Sequence, residues 1–191
     1  MSVDVSAQFG RPVTLAAVLE GTRRVLGELL HGDPPELVVR DGGPDLSGIM
    51  VGQPIPGEGA VFYRVAVPEF EDGVHIMVSD FGEADSDDPE ELINHGRHAV
   101  VSPNRTSVGV TVATGVALAV ARVSDGSFID EQLQRFPWEM RDPEVVIGRS
   151  RLASGEGAFD VRCERYLRQF PGFETWPRDR SGLSWRLSSG S

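Results

Sequence analysis

Two histidines and a glutamate near the middle of the chain have the spacing of metal ligands on a helix. Glu91, His95 and His98 are separated by four and then three residues, so one helical face would carry all three side chains. Imidazole and carboxylate groups at such spacing are ligands for zinc or iron. Gly96 disfavours a rigid helix at this point. Two interpretations stay open: a metal-binding protein or metal-dependent enzyme centred on these residues, and a solvated helix end.

The acidic loop that begins at Asp80 is a second candidate for metal binding. Its oxygen-bearing side chains at alternate positions are similar to those of a calcium-binding EF-hand loop. The sixth position from Asp80 is Asp85, where an EF-hand requires glycine, and no flanking pair of helices is evident. A solvated loop or a protein-binding surface accounts better for these residues.

Motifs for covalent catalysis and cofactor binding were not found in the sequence. Cys163, the only cysteine, has no histidine near it in the sequence, so we expect a half-buried structural thiol. All 18 basic residues are arginines, which excludes a Schiff-base lysine and the lysine of a phosphate-binding loop. We therefore predict no cofactor and favour a non-enzymatic function over the metal-dependent alternative.

Negative charge is concentrated in one segment of the chain. The formal net charge is −11 over 191 residues, and the segment from Val65 to Gly96 holds ten acidic residues and no arginine. This distribution argues against direct binding to nucleic acid or anionic lipid and favours a basic protein partner. The predicted partner-binding residues are Asp80, Glu83, Asp85, Asp87, Asp88, Glu90 and Glu91.

Hydrophobic periodicity predicts the elements that must position these residues. A helical pattern runs over 13–31, with Thr14 as its cap. Asp88 followed by Pro89 is typical of a helix start, and we expect that helix to end near His98. Short connections between the apolar runs favour an antiparallel meander. The predicted strands are 36–40, 47–51, 61–67 and 74–80.

The second half of the chain combines a buried helix with a tail rich in proline and tryptophan. Valines over 108–123 fit both strand alternation and helical spacing, and we predict a helix because small residues accompany them. A short strand at 127–130 and a short helix at 161–169 follow. The predicted fold is α+β, an antiparallel sheet of about four or five strands packed against two main helices. We predict one domain over 1–191, with 136–191 as a C-terminal appendage in an alternative division.

One stretch of the sequence resembles a known group of proteins. It includes Asp88-Pro-Glu-Glu-Leu, Ser102-Pro-Asn-Arg-Thr-Ser and the alanine-rich run from Ala117 to Asp130. A buried alanine-rich helix, a small turn and a short strand ending in Asp are similar to the pattern in immunity proteins of bacterial polymorphic toxin systems. The resemblance implies a non-enzymatic protein that occludes a toxin domain. Carboxylates could then occupy the phosphate positions of a basic nuclease cleft.

The two ends of the sequence bear on the cellular location of the protein and on a third functional class. The first residues lack the charged and apolar regions of a secretory signal, and no apolar run is long enough to span a bilayer. We therefore expect a cytoplasmic protein. A third functional class is an accessory subunit of a larger assembly, which would dock through the tryptophans of the C-terminal segment, Trp138, Trp176 and Trp185.

Overall fold

A computed structural model describes residues 3–40, 51–81, 96–130 and 133–173. The described part of the chain forms six strands and four α-helices, so the predicted α+β class is confirmed, with more strands than the four or five expected. A short 3-10 turn, Pro68–Phe70, lies between the third and fourth strands. The elements are β1 Val5–Gln8, α1 Leu15–Leu30, β2 Val38–Arg40, β3 Val61–Val67, β4 Asp72–Phe81, β5 Gly96–Pro103, α2 Ser107–Val123, β6 Ser127–Ile129, α3 Pro143–Ser150 and α4 Phe159–Arg168.

The six strands form one antiparallel sheet. Their order is β2-β3-β4-β5-β1-β6. The predicted meander holds from β2 to β5, whereas β1 enters between β5 and β6. Its register is fixed by pairs such as Val5 with Val101 and Ala7 with Ala99. All four of these residues are buried, and a shift by one residue would turn them to the other side of the sheet.

Helix α2 forms the centre of the molecule. It packs against β1, β4, β5 and β6 on one side, and against α1, α3 and α4 on the other. Every residue from Ser107 to Ala121 is buried, which agrees with its nearly uniform apolar and small-residue composition. The Thr106 hydroxyl caps the helix by accepting a hydrogen bond from Gly109 N at 2.8 Å. The predicted helix over 108–123 is confirmed.

The first helix follows the prediction from its apolar spacing. Thr14 Oγ1 accepts a hydrogen bond from Ala17 N at 3.1 Å, as its position before the apolar pattern predicted. The helix ends at His31, whose φ of 50° is left-handed. Its buried face includes Val18, Leu26 and Leu30 and packs against α2.

One predicted element is corrected by the structure. Residues 82–95 lie outside the described ranges, but Gly96–Pro103 is a strand, so the predicted helix does not extend to His98. Strand pairing overrides the local helix signal at Gly96–Pro103 because β5 lies between β4 and β1, where Val101 is paired on both sides and buried. The sequence did not reveal this strand because its partner β1 is distant along the chain.

Other predicted elements have mixed outcomes. The helix expected at 161–169 is present as α4, and the short strand expected at 127–130 is present as β6. Strand β1 and helix α3 were not predicted. The strand expected at 47–51 falls almost wholly outside the described residues. None of the helices in the described part of the chain combines the length and the apolar character that a membrane span requires.

Candidate protein-binding surface

The sheet has one face against α2 and a second face, here called the outer face, that points away from the four described helices. Alternation along each strand assigns the side chains to the two faces. Val65, Ile76 and Val101 point towards the helices and are buried. The outward positions of β3, β4 and β5 include Phe62, Arg64, His75, Met77, Val100 and Ser102.

Apolar side chains cross the outer face in a line. Phe62 on β3 pairs with Met77 on β4, and Met77 pairs with Val100 on β5. Val100 pairs in turn with Ser6 on β1, which lies beside Ile129 on β6. Ile129 is buried at 7% exposure, so we call only Phe62, Met77 and Val100 the apolar row.

Phe62 is the most exposed member of the apolar row. Half of its surface, 50%, is open to solvent. An aromatic ring in this position contributes little to folding by burial, because its neighbours on the same face are only partly buried. Exposed aromatic side chains beside apolar neighbours are typical centres of protein interfaces.

Of the seven acidic residues predicted to bind a partner, only Asp80 lies within the described ranges. Glu83, Asp85, Asp87, Asp88, Glu90 and Glu91 lie outside the described residues. Asp80 Oδ1 accepts a hydrogen bond from Arg97 Nη1 at 2.9 Å, and Arg97 also donates to the carbonyl of Gly59. The Asp80 side chain remains 48% exposed. This carboxylate is thus available at the surface and already paired within the chain.

The metal site considered at Glu91, His95 and His98 required all three side chains on one face of a helix, and the structure does not place His98 on a helix. His98 lies on β5 and is buried at 5% exposure, whereas Glu91 and His95 lie outside the described residues. Within the described ranges no group of three or more His, Cys, Asp or Glu side chains could hold a metal ion.

Cys163 lies deep in the core on α4. It is fully buried, which exceeds the half-burial expected from the sequence. Burial is the main reason that the pKa of its thiol is raised well above the usual range, and hydrogen bonding to Thr111 and the nearby Arg162 oppose it only in part. A thiol that resists ionisation and is shielded from solvent has a packing role.

A buried ion pair was not foreseen in the sequence. The side chains of Asp130 and Arg135 are 3% and 0% exposed, and Arg135 Nε lies 3.2 Å from Asp130 Oδ2. Arg135 Nη1 also donates to Thr114 Oγ1 on α2 at 2.8 Å. Burial raises the pKa of Asp130, and the Arg135 charge opposes that shift. The pair therefore fastens the segment after β6 to the central helix.

A second buried polar cluster surrounds the start of α2. Asp72, one of the ten residues of the acidic segment, is 7% exposed and accepts hydrogen bonds from Asn104 Nδ2 and the Thr106 hydroxyl. Because Thr106 is also the helix cap, this carboxylate supports the helix start. Asp72 belongs to the fold, and the surface charge of the segment is smaller than its composition suggests.

A cleft of about 450 Å³ opens beside β6, at the edge of the sheet. Phe128, Phe136 and Trp138 contribute rings to its walls. Trp138 is 48% exposed, and the Arg141 guanidinium lies 3.8 Å from the centre of its ring. Of the three tryptophans considered for docking, Trp176 and Trp185 lie outside the described residues.

Comparisons with known proteins give this site no precedent. No family model matches the chain, and no curated protein or solved structure matches it.

Proposed function

We propose that this chain is a non-enzymatic protein-binding module and that the outer face is part of its contact surface. The observation that carries the proposal is the half-exposed ring of Phe62 at one end of an apolar row across the sheet. Burial of such a ring under a partner would contribute about 1 to 3 kcal/mol to association. Phe62 is the kind of apolar anchor that an acidic surface alone lacks.

In its specific form, the proposed function is that of an immunity-like inhibitor. The acidic residues from Asp80 to Glu91 would meet a basic toxin or effector domain. Met77 of the apolar row and Asp80 both lie on β4, immediately before the acidic run, but their side chains point to opposite faces of the sheet. The partner would therefore contact the end of β4 as well as the outer face. Charge complementarity would speed encounter and fix orientation, while the apolar row would supply affinity.

Site-specific photo-crosslinking tests the contact surface. The chain would carry a photoreactive phenylalanine analogue at position 62 and be irradiated in extracts of its source organism. A matched control would carry the analogue at Val145, an exposed apolar residue on α3 at 41% exposure. We expect one stoichiometric protein to be linked at position 62 and not at position 145. Equal patterns from the two positions would contradict the proposal.

Charge reversal tests the inhibitor form with the protein linked at position 62. Replacing Asp85, Asp87 and Asp88 by Arg should slow association by about tenfold or more at low salt. The control is the same charge change at exposed acidic residues elsewhere, namely Glu36, Glu58 and Glu139. If both triple variants associate at the wild-type rate, the acidic segment does not meet a basic partner.

A further inference from the structure

The outer face carries positive charge in a chain that is strongly negative. No Asp or Glu stands at an outward position of the described strands, although acidic residues outnumber basic ones by 29 to 18. Arg40, Arg64 and His75 occupy neighbouring outward positions on β2, β3 and β4. We call these three residues the basic row.

The positions of these side chains lower the stability of the fold when no partner is bound. Arg40 is directly opposite Arg64, and Arg64 is directly opposite His75. The like charges of Arg40 and Arg64 are destabilising at directly opposed positions of an antiparallel pair. All three residues are exposed, and none forms an ion pair with another described residue. Six other arginines in the described part of the chain are paired with carboxylates, namely Arg11, Arg24, Arg97, Arg122, Arg135 and Arg168, whereas the exposed Arg23, Arg149 and Arg151 have no carboxylate partner among the described residues.

The apolar row lies directly beside the basic row. Phe62 is two residues from Arg64 on β3, and Met77 is two residues from His75 on β4, so each pair shares the outer face. Exposed guanidinium groups beside an exposed ring match a segment that carries carboxylates around an apolar side chain. Arginine suits this role because its planar group binds a carboxylate through two hydrogen bonds.

We propose that the basic row binds carboxylates of an acidic protein segment, whose apolar side chain contacts Phe62 and Met77. This inference rests on the proposed function, since it assigns a partner chemistry to the same outer face. A short acidic protein segment fits better than a nucleic acid, because the net charge of −11 repels the many phosphates of a polyanion more strongly than the few carboxylates of such a segment. A single partner that also met the acidic segment would need two oppositely charged regions.

Defined peptides test the charge preference of the outer face without knowledge of the natural partner. The probes are a short peptide of Glu, Leu and Gly and the same peptide with Gln at every Glu. Binding to the isotopically labelled full chain would be followed by NMR. We expect the Glu peptide to bind about tenfold more tightly at low salt. We also expect it to shift the amide signals of β3 and β4.

Paired charge reversals locate that binding. Arg40→Glu with Arg64→Glu should reduce affinity for the Glu peptide to that of the Gln peptide. The control, Arg149→Glu with Arg151→Glu, makes the same charge change at exposed residues of α3 and the residue after it and should bind as wild type. Equal affinity for the two peptides, or an unchanged affinity in the basic-row variant, would overturn the inference. Tighter binding of single-stranded oligouridylate than of the Glu peptide would also overturn it, in favour of nucleic acid.

The experiments distinguish failure of the basic-row inference from failure of the proposed protein-binding function. If the protein linked at position 62 is found but the peptides show no charge preference, the outer face is a protein-binding surface and the basic row has no role in it. If the wild-type chain is a dimer in solution, the basic-row variant is a monomer and the Glu peptide does not bind, the occupant is a second copy of this chain.

Discussion

At the scale of single residues, the Asp130–Arg135 pair carries a large desolvation cost. Both side chains are almost fully buried, so neither charge is solvated by water. The guanidinium is satisfied by the carboxylate and by Thr114, and it lies 5.6 Å from the ring centres of Phe136 and Phe170. Such a pair is tolerated only while both partners remain.

Removing one charge of this pair should be severely destabilising. We expect Asp130→Asn to lower the free energy of unfolding by about 3 to 5 kcal/mol, because Arg135 would remain charged and buried. The double variant with Arg135→Met should recover part of that loss, since it leaves no uncompensated charge. Urea unfolding followed by circular dichroism measures both. A loss below about 1 kcal/mol in Asp130→Asn would show that the pair is solvated.

The Cys163 thiol should be inert in the native protein. Its burial and raised pKa both suppress the thiolate that reacts with disulfide reagents. We expect labelling at neutral pH to be at least about a thousandfold slower than in urea, because reaction requires the core to open. Rapid labelling in native buffer, in a protein shown to be folded, would contradict this packing.

At the scale of elements, the approach of α1 to α2 depends on a glycine. A Cβ atom at Gly115 would lie 2.8 Å from Leu26 Cδ2 and 2.9 Å from Leu26 Cγ. Leu26 is fully buried, and a close-packed core has few voids into which such a side chain could move. Gly115 is one of the small residues that favoured a helix in the sequence, and in the structure it allows α1 to approach α2 closely.

A matched pair of substitutions separates close packing from helix propensity. Gly115→Val should lower the free energy of unfolding by about 1 to 3 kcal/mol, because the added side chain overpacks the contact with α1. Gly148→Val, in α3, has no atom within 4 Å of the new Cβ and should change stability by less than about 0.5 kcal/mol. Thermal unfolding compares them. Equal effects of the two substitutions would mean that the helices do not approach closely at Gly115.

At the scale of the whole molecule, Arg122 links three helices. It lies in the last turn of α2 and contacts Glu28 on α1 at 2.7 Å and Glu144 on α3 at 2.6 Å. The hydrogen bond with Arg122 is the main reason that the pKa of Glu144 is lowered. The two carboxylates are about half exposed or more, so the ion pairs are weak and salt should screen them.

Low pH should weaken the ion pair between Arg122 and Glu144. Because the pKa of Glu144 is lower in the folded state, its contribution is present above the usual carboxyl pKa of about 4.3 and lost as the pH falls through the folded value. We expect Arg122→Gln to be less stable than wild type by about 1 kcal/mol near neutral pH, with the difference shrinking below about pH 4. Arg149→Gln, an exposed change in α3, is the control. A difference that is independent of pH would rule out the ionic contribution.

Local sequence patterns determined much of this protein. The apolar spacing and the cap at Thr14 predicted α1, and the apolar runs 61–67 and 74–80 with their short connection predicted β3 and β4. These elements were predictable because a helix or strand that buries one side repeats its apolar residues at its own period. The α+β class followed from them.

Tertiary structure alone decided what those patterns leave open. The sequence of β3 does not show that Phe62 stands on the face opposite α2, and only the position of α2 decides this. Neither the insertion of β1 between β5 and β6 nor the contact of Arg135 with Thr114 has a local signal, because the partners are far apart in the sequence. Periodicity records that a side chain is buried, whereas the choice of its neighbours depends on how distant segments pack together.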